Sequence, residues 1–214
     1  MLQTATVERK TYELLKKLMK DDFLSDFLLA GGTNLALQIG HRRSVDLDLF
    51  SYKSFDAREL EKHLYKNYNF VALRVFDINT VQGYIDDVKV DIVAHIYPLL
   101  TIPLVEDGIR LYSLQDIACM KLIAISDNGS RLKDFVDIAY LSTRMSLIEM
   151  LNCYQKKYDR QNFYHAVKGL SYFDDIDFDT SIDLINSVFD WKKIEKRIRA
   201  MIKYEDRIFE TAPI

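Results

Sequence analysis

At the start of the chain, hydrophobic residues recur at the spacing of an α-helix. Shorter hydrophobic segments follow. Apolar residues fall at helical spacing over positions 7–20, which predicts a first helix. Phe27–Ala30 follows as a short buried strand, which is broken at Gly31–Gly32. Thr33–Ile39 then reads as a short helix. The opening of the chain therefore predicts a helix, a strand, a glycine turn and a second helix.

The pattern changes to a period of two in the next stretch, which is typical of strands. Val45–Phe50 alternates in this way and precedes a predicted helix at about residues 56–68. Three further strands are predicted at Asn69–Asp77, Thr80–Asp86 and Val88–Ile96. Together these elements predict a mixed sheet flanked by helices.

The second half of the chain is predicted to be almost wholly helical. Residues 98–112, which include Pro103, read as a connecting stretch, and Ser113 begins a sequence that resembles a capping box. Helical patterns continue to about Tyr204, with an acidic loop at residues 174–179. We therefore expect an α+β protein with a sheet-bearing core at residues 1–105 and a helical C-terminal domain at residues 106–214.

Composition and charge exclude some classes of protein. The 214 residues are 49% hydrophobic and carry a formal net charge of −3, so nucleic-acid contact would need a local basic patch. Trp191–Arg199 is such a patch, although its apolar spacing favours an ordinary amphipathic helix. The N-terminus lacks the apolar segment of a signal peptide and no stretch is long enough to span a membrane, so we expect a cytoplasmic protein without a membrane partner.

Cysteine and histidine residues do not form a recognisable metal motif. Cys119 and Cys153 lie in apolar helical stretches without metal-ligand spacing, so we expect buried free thiols in a reducing compartment. The scattered residues His63, His95 and His165 are interpreted as structural or surface side chains. No zinc site is predicted.

Three aspartates stand out on the predicted strands. Residues two apart in a strand point to the same face, so Asp46 and Asp48 project together. Asp91 lies opposite the apolar face of its own strand, where a lone carboxylate requires a partner. Because gathered carboxylates repel one another, a hard cation such as Mg²⁺ explains them best. We therefore predict that Asp46, Asp48 and Asp91 bind metal.

The glycine turn offers a site for phosphate. Gly31 and Gly32 permit a close approach of the backbone, Thr33 adds a hydroxyl, and the helix N-terminus that follows favours anions. The sequence thus predicts that a nucleotide binds at these three residues, next to the metal.

The spacing of these motifs resembles a known signature. Gly-Gly-Thr followed after twelve residues by Asp46-Leu47-Asp48, with a later strand aspartate, resembles the DNA polymerase β-type nucleotidyltransferases. The segment LLAGGTNLALQIGHRRSVDLDLF is similar to the AbiEii/AbiGii toxin family of type IV toxin–antitoxin and phage-defence systems. The resemblance implies a polymerase β-type nucleotidyltransferase core, followed here by a helical C-terminal domain.

The resemblance extends downstream to about residue 142. Asp116–Leu122 and Arg131–Asp137 match a helix lysine and an R-x-K-D-x-x-D stretch of that family. It implies that Lys121 is a catalytic residue that contacts nucleotide phosphates or activates the acceptor. It also implies that Asp134 is a further catalytic acid, with Asp137 as the alternative for that role.

The implied reaction is transfer of NMP from an NTP to an acceptor hydroxyl. Two Mg²⁺ ions would be held by Asp46, Asp48 and Asp91, with the hydroxyl attacking the α-phosphate and pyrophosphate leaving. The family resemblance implies RNA such as a tRNA 3′ end, or a protein, as the acceptor. It also implies a separately encoded antitoxin as a partner.

Three alternatives stay open from the sequence. A small-molecule nucleotidyltransferase of the aminoglycoside-modifying kind would use an acidic acceptor pocket, for which Asp134, Asp137 and residues 174–179 are candidates. A glycosyltransferase would use the D-x-D motif to hold Mn²⁺ and a nucleotide sugar, which the glycine turn and Asp91 disfavour. The third alternative is a binding partner without turnover, which the intact acids disfavour.

Overall fold

The polypeptide divides after Ser113 into a sheet-bearing unit, Met1–Ser113, and a helical unit, Leu114–Ile214. The structure, a computed structural model, describes residues 1–76 and 78–213. The last residue of the predicted strand Asn69–Asp77 lies outside these residues. In the described part of the chain, no helix combines the length and apolarity that crossing a bilayer requires.

In the described residues of the first unit, seven strands form one mixed sheet, in the spatial order β3-β4-β5-β2-β1-β7-β6. The strands are β1 (Phe27–Leu29), β2 (Leu47–Ser51), β3 (Phe70–Val75), β4 (Thr80–Ile85), β5 (Val88–Ala94), β6 (Leu104–Glu106) and β7 (Ile109–Leu111). The β2–β5 and β1–β7 pairs are parallel, and the other pairs are antiparallel. The predicted mixed sheet is confirmed.

Side chains alternate strictly between the two faces of β2, β4 and β5. One face packs into a core with the helices α1 (Arg9–Met19), α2 (Gly31–Ile39) and α3 (Ala57–Asn67). This core contains Leu15, Leu18, Leu37, Leu47, Leu49, Leu60, Val81, Val90 and Ile92. The residues between the buried ones are only half-buried or exposed. The second face of these strands is therefore open, as is common in sheets with antiparallel pairing.

The predicted domain boundary falls inside the hairpin that β6 and β7 form. The expected division between residues 105 and 106 falls within β6, whereas the first unit ends at Ser113. β7 pairs in parallel with β1 and so completes the sheet. Strands of three residues are too short to show an alternating pattern. The sequence therefore predicted a connecting stretch at these residues.

Up to residue 213, where the description of the chain ends, the second unit contains five helices: α4 (Leu114–Asp127), α5 (Leu132–Leu141), α6 (Leu147–Tyr158), α7 (Tyr164–Ser171) and α8 (Trp191–Lys203). Ser146 and Glu149 form a reciprocal capping box at the start of α6. In α8, Ile194, Ile198 and Met201 are buried, which confirms the amphipathic helix. The acidic stretch 174–179 contains turns and no helix, as predicted.

A buried amide holds α2 against the sheet. Asn34, in the first turns of α2, donates hydrogen bonds from Nδ2 to the carbonyls of Leu29 (2.6 Å) and Tyr112 (3.1 Å). Its Oδ1 accepts from the side chain of Gln38, which itself donates to Tyr112. One side chain therefore ties the helix to the end of β1 and to the residue after β7.

We expect Asn34→Ala to lower the free energy of unfolding by about 2 kcal/mol, because it removes a buried hydrogen-bonding group and leaves its partners underused. Asn67→Ala, at an exposed position in α3, is the control and should change stability by no more than about 0.5 kcal/mol. Urea unfolding measures both. Equal stability of the two variants would show that Asn34 does not fix α2.

Candidate active site

The parallel pairing of β2 with β5 brings together two of the predicted metal ligands. Asp48 lies directly opposite Asp91 in the register of these strands. Leu47, Leu49, Val90 and Ile92, which flank the two acids, are all buried in the core. The two carboxylates therefore lie side by side on the open face of the sheet, because cross-strand partners share a face.

Lys89 is the local counter-charge for the acids. Its Nζ lies 2.9 Å from Oδ2 of Asp91. The hydrogen bond to Asp91 raises the pKa of Lys89, and the charges of Asp91, Asp46 and Asp48 raise it further. All three predicted carboxylates therefore act on one ammonium group.

The glycine turn packs against Asp48. Gly31 begins α2 with φ +64°, a left-handed conformation that favours glycine. A Cβ placed on Gly31 would lie only 1.9 Å from Oδ2 of Asp48. The backbone N–H of Ala30 also donates to the carbonyl of Asp48 at 2.7 Å. The start of the helix and the carboxylate thus share one close contact, which only glycine allows.

Thr33 positions Asp46. Its side chain is buried, its hydroxyl donates to the backbone carbonyl of Asp46, and it shares a 2.8 Å hydrogen bond with the hydroxyl of Ser44. The segment that carries Asp46 into β2 is thereby attached to the first turn of α2. Direct contact of the Thr33 hydroxyl with a phosphate stays a prediction.

The first helical turn lacks a side-chain cap. Ala30, the residue before α2, makes no capping hydrogen bond with its side chain. The first backbone N–H groups of a helix have no partners within the helix and attract anions. The start of α2 can therefore receive phosphate oxygens beside Asp48.

Arg42 is a residue at this site that the sequence did not single out. It is only 3% exposed, and its Nη2 would lie 2.3 Å from a Cβ placed on Gly32. The guanidinium also donates to the carbonyl of Arg43 at 3.1 Å. The burial of Arg42 is a tertiary effect that no local pattern reveals.

The open sheet face extends beyond the acids. Gln82 of β4 lies opposite Asp91, and Arg74 of β3 lies opposite Gln82. Tyr84, which is 38% exposed, lies opposite Lys89. A polar and aromatic surface thus continues from the carboxylates to the sheet edge. The sequence analysis missed it because only strand register places these residues in rows.

The second unit contains the other predicted site residues, which are buried together. Lys121 is 6% exposed, and its Nζ lies 2.6 Å from Oδ1 of Asp134 and 2.8 Å from Oδ2 of Asp137. Arg131 lies 3.6 Å from Oδ2 of Asp134, and that oxygen has no hydrogen-bond partner. The Lys121 ammonium therefore contacts both buried carboxylates, and Arg131 adds a longer ion pair with Asp134.

The acids on the sheet offer the type of ligand that a hard cation prefers. They are not arranged as a complete coordination shell. Oδ1 of Asp91 is buried without a hydrogen-bond partner, and a carboxylate oxygen in this state is costly. Over residues 1–76 and 78–213, no three His, Cys, Asp or Glu side chains are grouped closely enough to form a metal centre. The oxygen-only donor set is the type that Mg²⁺ prefers.

Comparison with known sequences identifies the class of protein and then its family. The family described as nucleotidyl transferase AbiEii toxin, type IV TA system, matches residues 13–203. An uncharacterised protein of Aquifex aeolicus (strain VF5), aq_aa25, is 32% identical over 203 residues, which cover 92% of this chain and 96% of that protein. The chain is a nucleotidyltransferase whose substrate is a nucleoside triphosphate. It belongs to the AbiEii toxin family.

Solved structures support the same fold. The crystal structure of JHP933 from Helicobacter pylori has a TM-score of 0.54 and 19% identity, covering 94% of this chain and 93% of JHP933. A second H. pylori structure, of a protein provisionally called a nucleotidyltransferase, has a TM-score of 0.56 and 19% identity, covering 93% and 96% of the two chains. At this identity the likeness establishes the fold, and it confirms the predicted α+β architecture.

We expect Gly31→Ala to destabilise the first unit more than Gly108→Ala does. Both glycines have positive φ, but a Cβ on Gly108 has no atom within 4 Å. The control therefore isolates the backbone cost, about 1–2 kcal/mol, whereas Gly31→Ala also displaces the Asp48 carboxylate. Chemical denaturation measures the difference. Equal losses would contradict the close contact between Gly31 and Asp48.

We expect Lys121→Met to lower the free energy of unfolding by about 3–5 kcal/mol, because it removes the ammonium group that contacts both buried carboxylates and leaves Asp134 with the longer contact to Arg131. Lys133→Met, on α5 and half-buried, is the matched control and should cost no more than about 1 kcal/mol. Thermal unfolding followed by circular dichroism compares them. Equal unfolding midpoints would show that Lys121 is not the charge partner of Asp134 and Asp137.

Proposed function

We propose that this chain uses Mg²⁺ to transfer a nucleoside monophosphate from an NTP to a hydroxyl of RNA such as tRNA. We further propose that it acts in the cytoplasm as the toxin of a type IV toxin–antitoxin or phage-defence system, restrained by a cognate antitoxin. The observation that carries the proposal is the position of Asp48, opposite Asp91 and against Gly31 at the uncapped start of α2.

Asp46, Asp48 and Asp91 are the proposed ligands of two Mg²⁺ ions. The orphaned Oδ1 of Asp91 and the oxygen-only donor set support this assignment. When bound, such ions polarise phosphoryl oxygens and make an attacking hydroxyl more acidic. The Thr33–Asp46 hydrogen bond and the Ala30–Asp48 hydrogen bond then hold the acids to the nucleotide-binding turn.

The triphosphate is proposed to bind at Gly31, Gly32 and Thr33 through backbone N–H groups. The helix N-terminus supports this, because Ala30 provides no side-chain cap and the first N–H groups of a helix attract anions. Arg42, whose guanidinium packs against Gly32, adds positive charge there. These groups orient the phosphates toward the open sheet face.

Lys121 is the proposed phosphate contact in the helical unit, and Asp134 the additional acid. Their contact of 2.6 Å supports a coupled role. Any movement of Lys121 toward a phosphate removes the partner of Asp134, so the two side chains respond together. Asp137, at 2.8 Å from the same Nζ, also binds Lys121 and therefore belongs to the same coupled group.

The open face of β3 and β4 supports a large acceptor. Tyr84 exposes an aromatic ring on which a nucleobase can stack, and Arg74 supplies a cation for the backbone. This surface lies on the same face as the carboxylates, as single-stranded RNA presented to the site would require. The chain's net charge of −3 makes such local groups necessary.

The small-molecule alternative loses part of its support. A cationic aminoglycoside requires accessible acids, whereas Asp134 and Asp137 are buried and bound to Lys121. The nucleotidyltransferase family and the glycine turn also leave the D-x-D glycosyltransferase without support. RNA is therefore the acceptor that we favour.

The test is transfer of label from α-labelled NTPs to total tRNA or to an aminoglycoside panel, with Mg²⁺ present. We expect labelled tRNA, and a loss of about a hundredfold or more for Asp48→Asn and for Asp91→Asn. Asp87→Asn, at an exposed turn before β5, is the control and should retain activity. Expression of the same variants in a bacterial host should give growth arrest only with the active proteins.

Different outcomes separate the parts of the proposal. Labelled aminoglycosides with unlabelled tRNA would contradict the RNA acceptor and leave the transferase site intact. Full activity of Asp48→Asn and Asp91→Asn would contradict the proposed metal ligands. Activity without growth arrest would contradict the role as a toxin.

A further inference from the structure

The helices α4 and α6 meet along a polar seam in the helical unit. Asp116, near the start of α4, binds Lys157, near the end of α6, with 2.8 Å between Oδ1 and Nζ. Both side chains are fully buried. Because the start of one helix meets the end of the other, the two helices run antiparallel along this contact.

Cys119 and Cys153 occupy the next turn of the same seam. Cys119 lies three residues after Asp116 and Cys153 four residues before Lys157, spacings that keep side chains on one helix face. The two thiols are hydrogen-bonded to each other. The buried ion pair therefore holds the helices in a register that brings the sulfur atoms together.

The two thiols differ in access to solvent. Cys119 is fully buried, whereas Cys153 is half-buried. Cys153 lines a surface cavity of about 410 Å³ together with Leu114, Arg144 and Glu149. A small solute can thus reach Cys153, whereas Cys119 is buried.

The hydrogen bond also makes the accessible sulfur the better nucleophile. By accepting it from Cys119, Cys153 has its pKa lowered to about 7. Donating it raises the pKa of the Cys119 thiol, and burial raises that pKa further. Near neutral pH the thiolate is therefore on Cys153, and the thiolate is the form that reacts.

We propose that Cys119 and Cys153 form a reversible disulfide site, with Cys153 as the peroxide-reactive thiol and Cys119 as the resolving thiol. The thiolate of Cys153 attacks the O–O bond of a hydroperoxide, which is reduced to an alcohol or water as Cys153 becomes a sulfenic acid. Cys119 then attacks this sulfur, the S–O bond breaks, and water leaves with the Cys119 proton. A dithiol reductant restores both thiols by exchange.

The resulting disulfide would join α4 to α6 covalently, one turn from the Asp116–Lys157 pair. The crosslink encloses α5 and its connections, since that helix lies between the two cysteines in sequence. Such a crosslink restricts the unfolded chain, so we expect the oxidised protein to unfold at a higher temperature than the reduced protein.

The experiment treats the purified full chain with hydrogen peroxide at neutral pH, followed by intact mass measurement and peptide mapping. We expect loss of two hydrogen atoms, a peptide pair linked through Cys119 and Cys153, and recovery of the original mass with dithiothreitol. If a variant fails to fold, the result for the wild-type chain still tests the proposal. In the Cys119→Ser variant, we expect a sulfenic acid on Cys153 that dimedone traps.

Cys153→Ser is the matched variant, since it leaves only the buried thiol. We expect it to react with peroxide at least tenfold more slowly than the wild type, and unfolding in urea should abolish this protection. Alkylation of Cys153 should increase through a transition near neutral pH. Over-oxidation of Cys153 without the linked peptides, crosslinking between molecules, or equal peroxide reactivity of Cys153→Ser would each overturn the proposal.

Discussion

The contact between the glycine turn and Asp48 is the constraint on which the candidate site depends. Gly31 has positive φ and no room for a Cβ against the Asp48 carboxylate. The adjacent Ala30 N–H binds the Asp48 carbonyl, while Thr33 binds the carbonyl of Asp46. Two hydrogen bonds and one packing contact therefore join the start of α2 to the segment that contains Asp46 and Asp48. The uncapped helix start and the carboxylates cannot move independently.

Charge compensation follows the same rule in both units. On the sheet, Lys89 supplies one cation near three aspartates, and in the helical unit Lys121 supplies one cation to Asp134 and Asp137. The Asp116–Lys157 pair, by contrast, is balanced and fully buried, as expected for a structural contact. Acidic groups in excess of their counter-charge are costly in the folded protein, and a ligand that supplies cations relieves that cost.

Local sequence patterns predicted the elements that have a clear period. The helices near residues 7–20 and 56–68 and the strands that carry Asp48 and Asp91 are where the alternation places them, whereas β2 begins at Leu47 and so leaves Asp46 just before the strand. The strands β6 and β7 are too short to have a period, and so the boundary was placed inside β6. Arg42 and the row formed by Asp91, Gln82 and Arg74 depend on tertiary packing and strand register. No local pattern contains that information.

The buried state of Lys121 changes how its role should be understood. The family resemblance suggested a phosphate contact, yet its ammonium is held by two carboxylates, one of which keeps an unpartnered buried oxygen. A lysine in that state cannot take part in phosphate binding without a compensating change at Asp134, since an isolated buried carboxylate is unfavourable. Arg131, 3.6 Å from Asp134, is close enough to provide that compensation by a small movement. Lys121, Asp134 and Arg131 therefore act as one electrostatic unit rather than as separate site residues.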